Sequence, residues 1–472
     1  MPTEMRRPLL VAMAAVLLAA AGVALLAGAG GDTRRTHVVV DRVPMDEVHP
    51  AGAARHPGVV VAHGFAGSAE LMAPFGDTLA ARGYVVVLLD FSGHGANTRP
   101  MRDDDGAGRQ RDLDVAVAHL RSLPDVDPAR ISLVGHSMGA GAVTRYAAAH
   151  DDIAGTVAIS LPDASDLPPS RPVRLLTLVG GLEFPAFRTA AERAAAEETG
   201  RSEVVPGADH VSILFSPTAH RETADWLDQA TGGPLPAPMR RAGGAALLLV
   251  ALAAGLVPVA RLLLGPGRRR WPRFEWRAVA VTAGAAAVAA VAARFLPTDD
   301  LPLRLGGYVA GLTGVTGALL LAYTSRRPAV EEAAPRRPAA PLLILYAAIS
   351  IAVPLQLGLT HVVPVGPRWW LLPVVWAGFL LLGYAVERAG GNALTLLAVS
   401  ALTVVALVAA AVVGLTSTFV LLVAPLLAVL MVGQAVWSAV LHRFGAPRWV
   451  IAAAGSLLVA WPIATTLPLV SS

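Results

Sequence analysis

A serine with the surroundings of an enzyme nucleophile stands at position 137, inside the motif GHSMG of residues 135–139. Residues 131–134, just before the motif, are largely apolar, and residues 140–149, just after it, are rich in helix-forming alanine. A serine on a sharp strand-to-helix turn holds its hydroxyl off the sheet, where it can attack an acyl carbon. Glycine suits both flanking positions because such a turn leaves no room for side chains there. Ser137 is therefore predicted to be a nucleophile.

On this motif and its context, about 195 of the 472 residues resemble the α/β-hydrolase superfamily, in particular its serine esterases and lipases. The resemblance implies the chain order nucleophile, acid, base. It assigns the base to His210, in the loop 206–210, and the acid to Glu183, after the predicted strand 173–179. The family more often carries Asp at that position, and Asp163 and Asp166 are rival acids after the preceding strand. The chemistry needs a carboxylate that fixes the histidine tautomer and stabilises the imidazolium.

The resemblance also implies an oxyanion hole. The residues His63-Gly64-Phe65 follow the predicted strand 58–62 and look like the family's oxyanion loop. The main-chain N–H groups of Phe65 and Met138 would then bind the developing oxyanion. Only residues 161–172 lie where many lipases insert a helical lid, so the domain is predicted to be lidless.

No cofactor and no metal ion are expected. The acidic run 103–105 is interpreted as a solvated segment, because contiguous carboxylates point in different directions. The absence of cysteine excludes a cysteine nucleophile, thiolate metal sites and disulfides. His136 and His94 are given no catalytic role, and Asp90 at a predicted strand end is expected to cap the loop that follows.

Alternating strands and helices must position these groups. Apolar, β-branched runs alternate with alanine-rich stretches, which predicts an α/β fold with a doubly wound, mostly parallel sheet. Ligands of such sheets bind at the carboxyl ends of the strands, where the polar motifs fall. The strand candidates are 37–43, 58–62, 85–90, 131–135, 155–160, 173–179 and 203–205. The helix candidates are 69–81, 109–123, 138–149, 185–199 and 218–229.

The rest of the chain is too apolar to be soluble. The whole sequence is 54% hydrophobic and 15% charged. Residues 8–30 carry no charge and are long enough to cross a bilayer of about 30 Å; their length favours an uncleaved anchor over a signal peptide. Eight further spans, which would form an all-α membrane domain, are predicted. They are 242–264, 277–296, 304–324, 341–363, 369–387, 392–414, 417–441 and 448–469. The predicted domains are 1–30, 31–235 and 236–472.

Charge distribution predicts the orientation. Residues 31–230 carry 27 acidic residues and 18 Arg (−9), and the remainder carries 7 and 20 (+13), which sums to the net +4. A basic surplus in membrane loops argues against a nucleic-acid partner. With the N-terminus in the cytoplasm, fifteen Arg of the membrane part lie inside and five outside, as the positive-inside rule requires. The domain 31–235 is therefore predicted to be extracytoplasmic at the cell membrane.

Two functions follow from these features. The first is a membrane-bound serine hydrolase that cleaves ester-type bonds, with a small-molecule or lipid ester as substrate and membrane lipid as neighbour. The alternative is a membrane transport or scaffold protein whose hydrolase-like domain only binds a ligand. Transport requires ionisable groups inside the spans, and these are nearly missing, so the membrane part is interpreted as an anchor.

Overall fold

A computed structural model describes residues 3–52, 54–102, 106–168, 171–196, 200–227, 235–267, 272–298, 300–325 and 339–471. The first half of the chain builds a sheet of eight strands. These are β1 (Arg34–Val40), β2 (Val43–His49), β3 (His56–Ala62), β4 (Val85–Leu89), β5 (Val126–His136), β6 (Ile153–Ile159), β7 (Leu175–Gly180) and β8 (Gly200–Val205).

The sheet is mostly parallel, as predicted. Its order is β1-β2-β4-β3-β5-β6-β7-β8, with antiparallel pairing of β1 with β2 and of β2 with β4, and parallel pairing elsewhere. Ala62 at the end of β3 pairs with Leu89 of β4 and with Gly135 of β5. The carboxyl ends of these strands therefore lie at one edge, which is where ligands of parallel sheets bind.

The prediction of a single strand over 37–43 is wrong, because two strands, β1 and β2, occupy this region. The structure has a hairpin there, because Asp41 and Arg42 form a two-residue turn with φ of 47° and 66°. Positive φ at both central residues is the twist-matched hairpin geometry, usually signalled by Asn-Gly or Asp-Gly. Asp-Arg carries no such signal, so the turn was missed.

Helices cover both faces of the sheet. They are α2 (Ala73–Ala81), α3 (Gly106–Ser122), α4 (Met138–Ala149), α5 (Pro185–Ala194) and α6 (Pro217–Leu227). Alternate residues of β3 bury on opposite sides: Val59 and Val61 join the cluster of Phe75 on α2, whereas Val60 joins that of Leu120 on α3. The doubly wound fold class is thereby confirmed.

Besides a short 3₁₀ helix at Ser212–Phe215, the remaining elements are long apolar helices. They are α1 (Thr3–Ala27), α7 (Arg240–Leu264), α8 (Trp276–Ala292), α9 (Gly306–Thr324), α10 (Ala339–Gly358), α11 (Arg368–Ala389), α12 (Ala393–Val412), α13 (Val420–Arg443) and α14 (Arg448–Thr466). In the described part of the chain, eight of them are long and apolar enough to cross a membrane. The exception is α8, predicted as span 277–296, which has only 17 residues. The apolar run 392–441 is divided into α12 and α13, as predicted.

One end of this helix bundle contacts the sheet domain. Arg241, at the start of α7, donates two hydrogen bonds to Asp77 on α2, at 2.6 and 2.9 Å. After α14, the Leu469 N–H donates to the Gly93 carbonyl at 2.8 Å, and Leu469 accepts from the Met101 N–H. The loops at the carboxyl edge of the sheet are thus held by the helical part of the same chain.

Candidate active site

The backbone around Ser137 forms a sharp turn between β5 and α4. Ser137 has φ 52° and ψ −116°, a conformation that non-glycine residues rarely adopt. A Cβ added at Gly135 would collide with the Gly139 carbonyl, and one added at Gly139 would lie 2.5 Å from the Ala62 carbonyl oxygen. The two glycines therefore allow the turn to close against the end of β3. Strain of this kind persists only where the surrounding structure imposes it, and it is common at functional sites.

The structure brings Ser137, His210 and Glu183 into one chain of hydrogen bonds. His210 Nε2 lies 3.0 Å from Ser137 Oγ, and His210 Nδ1 lies 2.9 Å from Glu183 Oε2. The Glu183 side chain is only 1% exposed. With a proton on Nδ1, His210 donates to Glu183 and accepts the hydroxyl proton of Ser137, which is the arrangement of a serine nucleophile with its base and an orienting acid.

Glu183 is fixed by its second carboxylate oxygen. Glu183 Oε1 accepts hydrogen bonds from Ser160 Oγ at 2.6 Å and from the Gly180 N–H at 2.7 Å. Ser160 directly follows β6 and has a positive φ of 54°. Sequence reasoning assigned no role to Ser160, because a lone serine after a strand carries no signal of its own.

The rival carboxylates have other contacts. Asp163 accepts hydrogen bonds from Ser165, and Asp166 pairs with Arg145 on α4. Asp209, the neighbour of the histidine, accepts from N–H groups of its own loop. Of these acidic side chains and Glu183, only Glu183 has a hydrogen bond with the His210 ring among the described contacts.

The predicted oxyanion loop lies against the nucleophile. A Cβ added at Gly64 would be 3.1 Å from Ser137 Cβ and 2.7 Å from His136 Nδ1, so the Gly64 backbone passes directly beside the serine. Phe65 follows in the chain. Met138 opens α4, and the first N–H groups of a helix have no intrahelical acceptor. The N–H groups of Phe65 and Met138 thus belong to segments that border Ser137.

His136, which was given no catalytic role from the sequence, makes a supporting contact in the structure. Its Nε2 donates to the main-chain carbonyl of His210 at 2.9 Å, and the two rings are 4.9 Å apart. Burial, together with the nearby His210, lowers the pKa of His136 to about 3, so the ring is neutral. The contact fixes the loop that carries His210.

Asp90 joins two loops at this edge. Its carboxylate accepts from the Ala69 N–H at 2.7 Å and from the Ala96 N–H at 2.8 Å. Burial, with the charge of Glu70 adding to it, raises the pKa of Asp90 to about 7 despite these two hydrogen bonds. Asp90 therefore caps its own loop, as expected, and in addition ties it to the loop after β3.

No group of three or more His, Asp or Glu side chains within the described ranges is arranged to hold a metal ion. The acidic run 103–105 lies outside those ranges. The groups around Ser137 are a hydroxyl, an imidazole and a carboxylate, which suit nucleophilic and acid-base chemistry.

A comparison with protein families agrees with this fold. Residues 54–205, from β3 to β8, match the family described as serine aminopeptidase, S33. With the strand order and the nucleophile turn, this match defines an α/β-hydrolase domain and confirms the resemblance seen in the sequence. The chain therefore joins a domain with the α/β-hydrolase fold to a bundle of apolar helices.

Known proteins match part of this chain. The chain is 29% identical over 110 residues to the quorum-quenching protein AidA of Acinetobacter baumannii, which is 23% of this chain and 36% of AidA. It is 32% identical over 138 residues to the uncharacterized protein Rv2307c of Mycobacterium tuberculosis, which is 29% of this chain and 43% of that protein. The chain thus spans less than half the length of either relative. A dienelactone hydrolase structure from Anabaena variabilis matches with a TM-score of 0.34 and 21% identity, over 41% of this chain and 94% of that one.

Proposed function

We propose that this protein is a membrane-bound serine hydrolase that cleaves ester-type acyl bonds through Ser137, His210 and Glu183. The observation that carries the proposal is the continuous contact from Ser137 Oγ through the His210 ring to the buried Glu183 carboxylate. The domain 31–235 would hold the chemistry, and the spans in 1–30 and 236–472 would hold it at the bilayer.

The reaction would proceed in two acyl transfers. Ser137 Oγ attacks the carbonyl carbon while His210 Nε2 takes the hydroxyl proton, and Glu183 stabilises the imidazolium. The Phe65 and Met138 N–H groups bind the oxyanion, each contributing on the order of 3 kcal/mol to lowering the barrier. His210 then returns the proton to the leaving alkoxide, and a water molecule, activated by the same imidazole, releases the acid from Ser137.

The surroundings of His210 favour an apolar acyl group. Three side chains on the adjoining loops are strongly exposed although apolar: Leu182 (70%), Phe184 (52%) and Val211 (51%). The Phe187 ring lies 4.8 Å from the His210 ring. An exposed apolar patch beside a reactive group is typical of a surface that binds apolar ligands or lipid. Lipid-derived or acylated substrates are therefore our preferred class.

The charge pattern supports an extracytoplasmic site at the cell membrane. Eight of the described helices are long enough to cross a bilayer. If α7 crosses it, the Arg-rich segment that follows, 261–277, is on the side opposite to the sheet domain. Because cytoplasmic loops carry the excess of Arg, we place the sheet domain outside and the N-terminus inside.

A fluorophosphonate probe tests the catalytic proposal. Membranes containing the full chain should be labelled in the wild type and not in Ser137→Ala, because the probe reacts with an activated serine hydroxyl. Expression of both proteins at equal level is the control. If the wild type is not labelled and hydrolyses no short-chain ester, the alternative of a ligand-binding domain on a transport or scaffold protein gains support.

A further inference from the structure

The loop after β3 contacts the connection between the helices α10 and α11. We call residues 63–72 the oxyanion loop. Its Ser68 Oγ lies 3.0 Å from Thr360 Oγ1 and accepts from the His361 N–H at 3.0 Å. Its Glu70 Oε1 lies 3.1 Å from His361 Nδ1. Thr360 and His361 belong to the connection between α10 and α11, so this contact joins the predicted oxyanion donor segment to the helical part of the chain.

Two further contacts extend this interface. Gln356 near the end of α10 donates to Glu70 Oε1 at 3.3 Å. The Phe65 ring lies 4.4 Å from the Phe419 ring, just before α13. Phe65 itself is therefore packed against a residue of the bundle.

The His361 ring is placed to carry two protons. Nδ1 faces the Glu70 carboxylate, and Nε2 lies 3.1 Å from the Val363 carbonyl oxygen. Both partners are acceptors only, so a neutral ring could donate to just one of them. Burial opposes the charged ring, but the hydrogen bond and negative charge of Glu70 outweigh it, and the pKa of His361 is raised. The same contact holds the pKa of Glu70 below its ordinary value in spite of burial.

The oxyanion loop needs outside support. Ala66 has a φ of 58°, a conformation unfavourable for a residue with a Cβ. Gly64 lies beside Ser137, and Ser68 and Glu70 are anchored four and six positions later. A displacement at Ser68 or Glu70 is thus transmitted over few residues to Phe65. An error of about 1 Å in such a site can cost on the order of 100-fold in rate.

We propose that Thr360 and His361 are positioning residues which, through Ser68 and Glu70, hold the oxyanion loop in place, so that the membrane part sets the catalytic rate of the hydrolase domain. This inference rests on the proposed function. It assigns the helical bundle a task beyond anchoring, because a single span would anchor the domain. The residues act through the Phe65 N–H and do not contact the reacting atoms.

Protonation of His361 makes the contact sensitive to pH. The groups that face the ring are Glu70 on the oxyanion loop, Asp90 after β4 and Arg368 at the start of α11, and the last of these disfavours the charged ring. When His361 loses its proton at alkaline pH, one of its two donated bonds is lost. Hydrolysis should therefore fall at alkaline pH, as His361 is deprotonated.

The test uses the purified full chain in detergent, with a soluble short-chain chromogenic ester. Thr360→Val removes the hydroxyl that meets Ser68, and Thr403→Val is its matched control, since the buried Thr403 hydroxyl donates only to the Val399 carbonyl of its own helix among the described contacts. We expect kcat to fall roughly tenfold in Thr360→Val with KM changed less than twofold, and no change in the control. His361→Ala should lower kcat at every pH.

The pH profile of His361→Asn distinguishes a positioning role of His361 from a purely structural one. An amide can donate to Glu70 but does not titrate. We expect this variant to recover part of kcat and to lose the alkaline fall of the wild type. Equal kcat values for Thr360→Val, His361→Ala and Thr403→Val, or an unchanged alkaline fall in His361→Asn, would overturn the positioning role while leaving the hydrolase intact. A wild type without Ser137-dependent hydrolysis would instead overturn the proposed function itself.

Discussion

Replacing Glu183 by Gln tests the catalytic chain of hydrogen bonds most directly. The side-chain amide has one acceptor oxygen and one NH₂ group in place of two acceptor oxygens. The Ser160 hydroxyl and the Gly180 N–H both donate to the Oε1 position, at 2.6 and 2.7 Å. The oxygen of Gln must occupy that position, which turns its NH₂ group toward His210 Nδ1.

This orientation reverses the histidine tautomer. With an N–H donor facing it, His210 Nδ1 must become the acceptor, and the ring proton moves to Nε2, 3.0 Å from Ser137 Oγ. An Nε2 that already carries a proton cannot accept the one from Ser137. The corresponding amide substitution in a Ser-His-Asp enzyme lowers kcat about 10⁴-fold, so we expect a loss of roughly 10³- to 10⁴-fold, or about 4 to 5.5 kcal/mol.

The assay is ester hydrolysis by the purified full chain, with kcat and KM measured separately. Ser160→Ala is the matched control: it removes one donor to Glu183 but keeps the carboxylate, so its kcat should fall less than tenfold. A thermal midpoint close to that of the wild type would show that Glu183→Gln still folds. If Glu183→Gln keeps kcat within tenfold of the wild type, the tautomer argument is wrong.

Four other predictions concern packing, burial, pH and topology. Gly139→Ala places a Cβ 2.5 Å from a β3 carbonyl and should destabilise the domain by about 1–3 kcal/mol, seen as a lower thermal midpoint; an unchanged midpoint would mean that the turn is not close-packed. The side chain of Arg368 is fully buried and donates hydrogen bonds to main-chain carbonyls in the loop after β4 and after α14. Arg368→Met should therefore lower the free energy of unfolding by about 1–3 kcal/mol for each carbonyl left without a donor, and proteolysis of the sheet domain should become faster. Burial lowers the pKa of His220 to about 4, and the unfolded chain therefore takes up the extra proton as pH falls from about 6.5 toward 4. The wild type should lose stability over that range, and the thermal midpoint of His220→Gln should change less with pH; parallel curves would contradict this. Because the chain has no cysteine, a membrane-impermeant maleimide on intact cells should label Asp152→Cys and not Pro266→Cys, just after α7, and the opposite result would reverse the proposed orientation.

Local patterns in the sequence were sufficient for the fold class. The alternation of β-branched and alanine-rich runs predicted the helices of the sheet domain and every strand except β2, because burial on both faces of a parallel sheet demands continuous apolar strands. The turn at Ser137 was recognisable from its short motif, because a Cβ at Gly135 would collide within the turn and one at Gly139 would collide with the end of β3. The hairpin at Asp41 and Arg42 was not predicted, because the pair Asp-Arg is not one of the sequences that indicate a turn with positive φ at both residues.

The sequence by itself determined which residues could carry chemistry and which segments are apolar enough for a bilayer, since both depend on residue type and short spacing. Only the tertiary structure decided which carboxylate contacts His210: Glu183, Asp163 and Asp166 all carry one, and the loop after β7 turns that of Glu183 toward the ring. The contact of Glu70 with His361 was equally out of reach of the sequence, because it joins positions 291 residues apart. Such contacts depend on how the two domains pack against each other, and residue spacing along the chain does not predict this packing.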